Sequence, residues 1–325
     1  MKELVEKYKI LQVQVGSQVY GTSTPESDTD FSGIFIAPKR FYIGLDKVEE
    51  VDFSVISKQE NGKNDKDAID SKFYELRKFV KLAMENNPNI LEHFYVPDDK
   101  VEYSNYYGTL LRSYAHLFPH QGLKQKFLGY AFSQKHKMII KTDNYTGLKA
   151  FDEWLENFTY DPRLCCLSEH YYKTNQLLAE LRNEGSLKGI VKFHEHHALV
   201  GDINISLTDK LSKVRNKITE RLSKVGNREE LYTKYGYDTK FGMHLVRLML
   251  EGKELLETGK LEYPLKDRDM LMDIRNGKWK REDIIAYSEQ LEAELDNIKT
   301  DLPSKPRYEE IEKLLISMVE EFWER

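Results

Sequence analysis

The sequence predicts an α+β fold, with a small mixed α+β region over residues 1–100 and a larger α-helical domain over 101–325. Three observations predict it. The first hundred residues interleave strand-like alternation with short helical stretches. After about residue 100, apolar residues recur at spacings of three and four nearly throughout. No internal repeat or low-complexity tract interrupts either region, and 325 residues is length enough for two domains.

The elements are read in chain order. Lys2 to Lys9 reads as a short helix, and "ILQVQVG" from Ile10 to Gly16 alternates apolar and polar residues, as a half-buried strand does. Phe31 to Ala37 and Val48 to Ile56 are further strand candidates, and the polar run "KQENGKNDK" at Lys58 to Lys66 reads as a loop. From Ile69 to Ala83 the apolar spacing is helical, although Ala68 to Tyr74 also alternates, so periodicity leaves both readings open there. Helices are expected over Ser104–Leu117, Leu123–Lys141, Tyr171–Asn183, Asp209–Lys224, Lys240–Thr258, Arg281–Ile298 and Arg307–Trp323. Gly185, Gly226 and Gly259 are the expected stops.

Composition bounds the function. The net charge is −5, so a polyanionic partner has to meet a local basic patch rather than an overall positive field. The two cysteines, Cys165 and Cys166, are adjacent, which argues against a disulfide framework and against a cysteine zinc site. There is no run of eighteen apolar residues and no signal-peptide pattern at "MKELVEKYKI", so a cytoplasmic protein with no membrane partner is expected.

The chemistry concentrates in "GSQVYGTSTPESDTDFSGIF", Gly16 to Phe35. Asp28 and Asp30 are separated by one residue. If Ser27 to Phe31 enters a strand, the two carboxylates project from one face about 7 Å apart. Carboxylates so placed can hold hard divalent cations, and paired ions in phosphoryl-transfer sites sit roughly 3.5–4 Å apart. Upstream, a strand feeding Gly16-Ser17 into a helix start can present backbone N–H groups to an anion, and the Ser17 hydroxyl can donate to a phosphate oxygen. Taken one at a time, an Asp-Thr-Asp and a Gly-Ser are also ordinary turn punctuation. Their eleven-residue separation between apolar runs is what makes a nucleoside triphosphate site the sharper reading.

This stretch resembles the signature of the DNA polymerase beta nucleotidyltransferase superfamily, in which Gly-Ser precedes an Asp-x-Asp on the next strand. More narrowly, it resembles the RNA-repair-pathway DNA polymerase beta family of bacteria and phages. The resemblance implies a polymerase-beta-like core at residues 1–100 and magnesium as cofactor, two ions, with manganese able to substitute. It also implies a third carboxylate on a later strand, for which Asp70 in "AIDSKFYELRKF" is the candidate, with Asp67 and Glu75 as substitutes. Tyr20, Thr22 and Ser27 of the intervening turn join Gly16 and Ser17 in the expected nucleotide-binding set. "NNPNILEHF" from Asn86 to Phe94 also resembles the family, and its asparagines are expected to cap helices.

In the helical region, Lys240, His244 and Arg247 fall at i, i+4 and i+7 and could meet a triphosphate from one helix face, or pair with glutamates such as Glu251. "IRNGKWKRED" gathers Arg275, Lys278, Trp279 and Lys280, a basic cluster with an aromatic that can hold single-stranded RNA or simply end a helix. The run "HEHH", His194 to His197, lacks metal-ligand spacing. The expected function is transfer of a nucleoside monophosphate from an NTP to a hydroxyl, at an RNA 3′ end such as that of tRNA, with release of pyrophosphate. The resemblance also suggests functional association with an RNA ligase. The rivals are an adenylyltransferase acting on a protein or small molecule, and an inactive nucleotide- or RNA-binding module.

Overall fold

The main sheet is built from the first 104 residues. In the computed structural model, which describes residues 1–25, 27–54, 70–156, 161, 163–164, 191–193, 196–226 and 228–324 (for Asp70, Trp154 and 191–193 the backbone alone), five strands run β3-β4-β2-β1-β5. These are β1 (Lys9–Val15), β2 (Asp30–Phe35), β3 (Glu50–Asp52), β4 (Asp70–Glu75) and β5 (Val101–Ser104). β2 lies at the centre, antiparallel to β1 and parallel to β4. Its Gly33 is required by close approach: a Cβ there would lie 2.2 Å from the Phe73 ring and 2.7 Å from the Leu11 carbonyl oxygen.

Three of the helices around this sheet start at side-chain caps. After α1 (Lys2–Tyr8), α2 (Ser17–Tyr20) and α3 (Arg40–Ile43), the ambiguous stretch from Ile69 resolves as strand then helix. Glu75 closes β4 and caps α4 (Leu76–Met84), its side chain accepting from the Arg77 N–H at 3.0 Å. Alternation and helical spacing are both present because the chain changes state at that cap. Asn87 caps α5 (Pro88–Tyr95), with Pro88 in its first turn, and Asn105 caps α6 (Tyr106–Ser113). The expected helix from Ser104 therefore begins two residues later, because Val101–Ser104 is spent as β5 at the sheet edge.

By packing, the chain forms two units, residues Met1–Gln134 with Gly242–Arg325, and Lys135–Phe241. The boundary that texture put near residue 100 falls inside the first unit, because the C-terminal helices return to the sheet. In α13 (Tyr308–Glu324), the Trp323 indole N–H donates to the Ala37 carbonyl at 3.1 Å, its ring meets Tyr42 edge-on at 4.8 Å, and Phe322 meets Tyr107 at 5.3 Å. Beneath lies a core of Val5, Phe35, Ala37, Phe41, Val48, Val51 and Phe73. The same unit holds α11 (Arg268–Arg275) and α12 (Arg281–Asn297).

The second unit is largely helical but also carries strands that the expected α-helical domain at 101–325 did not include. Short strands β6 (Val191–Phe193), β7 (His197–Val200) and β8 (Ile203–Ser206) form an antiparallel meander. They are too short to display a legible period. Ala198, Val200 and Ile205 pack with Leu148, Phe151 and Leu155 of α7 (Leu123–Leu155) and with Leu211, Val214 and Ile218 of α8 (Leu211–Ser223). Next comes α9 (Arg228–Tyr235), and α10 (Thr239–Thr258) begins here. The expected helix at Tyr171–Asn183, Gly185, Cys165, Cys166, His194 and the loop at Lys58–Lys66 lie outside the described residues. Among the described residues no helix is long and apolar enough to cross a membrane.

Candidate active site

The Gly-Ser turn and Asp30 meet because β1 and β2 are antiparallel neighbours, with Val15 opposite Asp30. Gly16 sits at φ 75°, ψ −147°, a backbone region essentially closed to other residues, and this conformation starts α2 directly off the strand. A Cβ on Gly16 would lie 3.0 Å from Asp30 Oδ2. The glycine therefore provides both the turn and the room for the carboxylate. Ser17 is half-buried at the first position of α2, and its carbonyl accepts from the Thr22 N–H at 3.0 Å.

β2 and β4 both begin with aspartate at the same level, Asp30 standing opposite Asp70 in the parallel register. Asp28 does not share the strand. β2 starts at Asp30, and Asp28 lies half-buried in the connection before it, so the strand spacing expected from Ser27 onward does not apply to the pair. The preceding residues make a tight turn instead. The Thr24 N–H donates to Ser27 Oγ at 2.9 Å while the Ser27 N–H donates to the Thr24 carbonyl at 2.9 Å. Among the described residues no three His, Cys, Asp or Glu side chains form a ready metal cluster.

Behind the turn lies a buried charged network whose members the sequence pattern assigns to other work. Tyr20 is 3% exposed, and its hydroxyl donates to Glu92 of α5, while the Arg247 guanidinium stacks on its ring 4.1 Å from the centroid. Arg247 Nη1 donates to both Glu251 oxygens at 2.9 and 2.8 Å, and the Tyr263 hydroxyl donates to Glu251 at 3.2 Å. Tyr20 and Arg247, expected to touch nucleotide, are thus spent on each other. The stripe Lys240, His244, Arg247 passes along α10 from an exposed lysine through a half-buried histidine to a buried arginine, with Lys240 in the second unit. One helix face does not mean one environment. Thr22 is also fully buried rather than offered to a ligand.

Burial sets the titration of this network. It pushes the Glu92 carboxyl up to about 8, only partly offset by the Tyr20 hydroxyl and Arg247, with Asp30 among the charges that raise it. Glu251 is also raised by burial. Next to Glu92, burial drives His93 down to about 4, and its Nε2 lies 2.7 Å from the Ser32 hydroxyl of β2. Sequence reasoning misses Glu92. The available signal is a glutamate set among the apolar Ile90, Leu91 and Phe94.

The basic cluster at 275–280 divides as well. Arg275 turns onto the candidate site's own loop, donating to the Thr22 carbonyl at 2.6 Å and to Ser27 Oγ at 3.2 Å. It therefore pins the turn before Asp28 from a position about 250 residues away in sequence. Lys278 is exposed and paired with Asp273 at 2.6 Å, Trp279 packs on Tyr287 with ring centroids 5.5 Å apart, and exposed Lys280 precedes α12.

A mixed sheet flanked by helices, with Gly-Ser leading off one strand and an aspartate opening the next, is consistent with a polymerase-beta-like nucleotidyltransferase core. Residues 3–155 match the model of the RNA repair pathway DNA polymerase beta family, the family expected from the Gly16–Phe35 stretch. The chain is also similar to a 38.9 kDa protein of Enterobacteria phage T4 from the nrdC–mobD intergenic region, 25% identical over 355 aligned positions covering 100% of this chain and 97% of the relative. No solved structure matches the chain significantly. The family match supports a nucleotidyltransferase-like role in the setting of RNA repair.

Proposed function

We propose that the chain is a magnesium-dependent nucleotidyltransferase that moves a nucleoside monophosphate from an NTP to a hydroxyl at an RNA 3′ end, releasing pyrophosphate. The observation that carries the reading is the meeting of Gly16 with the Asp30 carboxylate, at the level where β4 opens with Asp70. A set of carboxylate oxygens is the donor chemistry that suits magnesium, so Asp28, Asp30 and Asp70 are the residues to hold it. When bound, the metal would neutralise charge on the phosphates and favour ionisation of the acceptor hydroxyl.

The chain's own part is positioning. Gly16 leaves the backbone open beside Asp30, and Ser17 can donate its hydroxyl to a phosphate oxygen. Arg275 holds the Thr22–Ser27 turn that carries the chain to Asp28. The Tyr20–Glu92–Arg247–Glu251 network fixes the far end of α2. A rigid loop matters because transfer is mostly alignment of the attacking hydroxyl with the phosphoryl group. Lys278, Trp279 and Lys280 remain candidate RNA contacts at the surface, and a functional association with an RNA ligase fits the family's setting.

The test is incubation with each α-labelled NTP, magnesium and bulk cellular RNA, beside an Asp28→Asn/Asp30→Asn control. Label entering RNA with wild type alone is the expected result. Label entering protein instead would establish a modifying adenylyltransferase. Nucleotide binding with no transfer to any acceptor would establish a binding module.

A further inference from the structure

The second unit contains a cavity of about 170 Å³ whose charged lining is entirely cationic: Lys141 from α7, Arg221 and Lys224 at the end of α8, and Arg228 from α9. Tyr145 and Tyr232 complete its polar wall, with ring centroids 5.2 Å apart. Carboxylates stand outside the lining and hold the arginines in place. Asp202 receives Arg221 through both oxygens at 2.6–3.1 Å, and Asp238 pairs with Arg228 at 3.2 Å. Lys224 pairs with Glu220 on its exposed side. Lys141 touches no carboxylate among the described residues; its ammonium lies over the Phe241 ring at 4.9 Å, beside Arg228 over the same ring at 4.8 Å. Lys137 reaches that ring too, at 6.0 Å.

Asp202, Glu220 and Asp238 offset three of the four cations, and Lys141 is the one left in contact with no carboxylate among the described residues, so an added anion gains most there. At Lys141, burial and then Arg228 hold the ammonium below the usual lysine value. The positive surface is also extended. Lys137, Lys141 and Tyr145 recur every four residues along α7, a stripe of about 12 Å, longer than one phosphate group. Two exposed lysines in a line beside the cavity's cations suit successive phosphates of a single strand, while the buried Tyr145, its hydroxyl donating to Glu229 at 2.8 Å, backs them.

We infer that this cavity and the Lys137–Tyr145 stripe form a binding site for the phosphodiester backbone of single-stranded RNA, separate from the nucleotide site. The inference rests on the proposed function only in that an RNA acceptor supplies the ligand. Its readout is binding measured without NTP, so a failure of transfer leaves the inference standing.

The experiment titrates a fluorescein-labelled oligouridylate into the full chain at several salt concentrations, comparing wild type with Lys141→Glu/Lys224→Glu. At least tenfold weaker binding is expected. Each phosphate contact contributes about 0.7 to the slope of log affinity against log salt, so losing two should flatten it by about 1.4. The milder Lys141→Gln/Lys224→Gln variant, checked by thermal melting, should weaken binding in the same direction without unfolding the unit. Unchanged affinity and slope in a variant that melts as wild type would overturn the inference. So would loss of ATP binding with RNA binding intact.

Discussion

In the first unit, Arg247 is 5% exposed, locked to Glu251 and stacked on Tyr20 at 4.1 Å. In the second, Arg228 has a side chain 44% exposed, pairs with Asp238 through one contact at 3.2 Å, and stacks on Phe241 at 4.8 Å at the edge of a cationic cavity. The two arginines share a residue type, a carboxylate partner and an aromatic platform. Burial separates them. A buried guanidinium must have its charge met within the fold, because unpaired it would carry a large desolvation penalty. A half-exposed one keeps its water and can exchange it for a ligand's phosphate. Charge patterns in this sequence therefore report on function only where the fold leaves them wet.

The largest expected effect lies at the wet end of the first unit. Asp28→Asn/Asp30→Asn should remove several kcal/mol of charge stabilisation and lower label transfer roughly a thousandfold, with melting unchanged. Transfer at wild-type rate would break the contrast by making these carboxylates structural. Next comes the dry end: Arg247→Ala leaves Glu251 and Glu92 buried without their cation and should destabilise by about 3–5 kcal/mol in denaturant titrations. Arg228→Ala should cost less, about 1–3 kcal/mol in the same measurement, because the buried Asp238 loses a half-exposed cation but still accepts from the Lys240 and Phe241 N–H groups.

A pH profile sharpens the same contrast. Glu92 is raised from 4.5 to about 8, so the folded state keeps a proton that the unfolded state has lost, and its stabilising effect fades as pH rises between those values. His93 is lowered from 6.5 to about 4, so its contribution grows as pH rises from about 4 to 6.5. The two oppose each other at mildly acid pH, and Glu92 alone should make stability fall between roughly pH 6.5 and 8. Thermal melts of Glu92→Gln should lose that fall and keep the acid-side rise. Smaller again, Arg275→Ala removes two hydrogen bonds to the 22–27 turn and should cost about 1–2 kcal/mol while raising the KM for NTP. Least of all, Lys278→Ala breaks one exposed pair and should shift stability by less than about 0.5 kcal/mol, with any loss of RNA affinity marking it as a contact.

Local pattern alone determined a good deal. Alternation over Ile10–Val15 marked β1, Asn87 was legible as a cap, and the Gly-Ser and aspartate spacing pointed to the family matched over residues 3–155. These features depend on neighbours in sequence, where backbone preference and capping act directly. The tertiary structure alone decided what depends on distant partners. It opened β2 and β4 with Asp30 opposite Asp70, returned Trp323 to Ala37, and turned Arg275 onto Thr22. It also decided which cations of α10 are buried. Helical periodicity gives the angle of a side chain about its axis, and only packing decides whether that angle meets water or another charge.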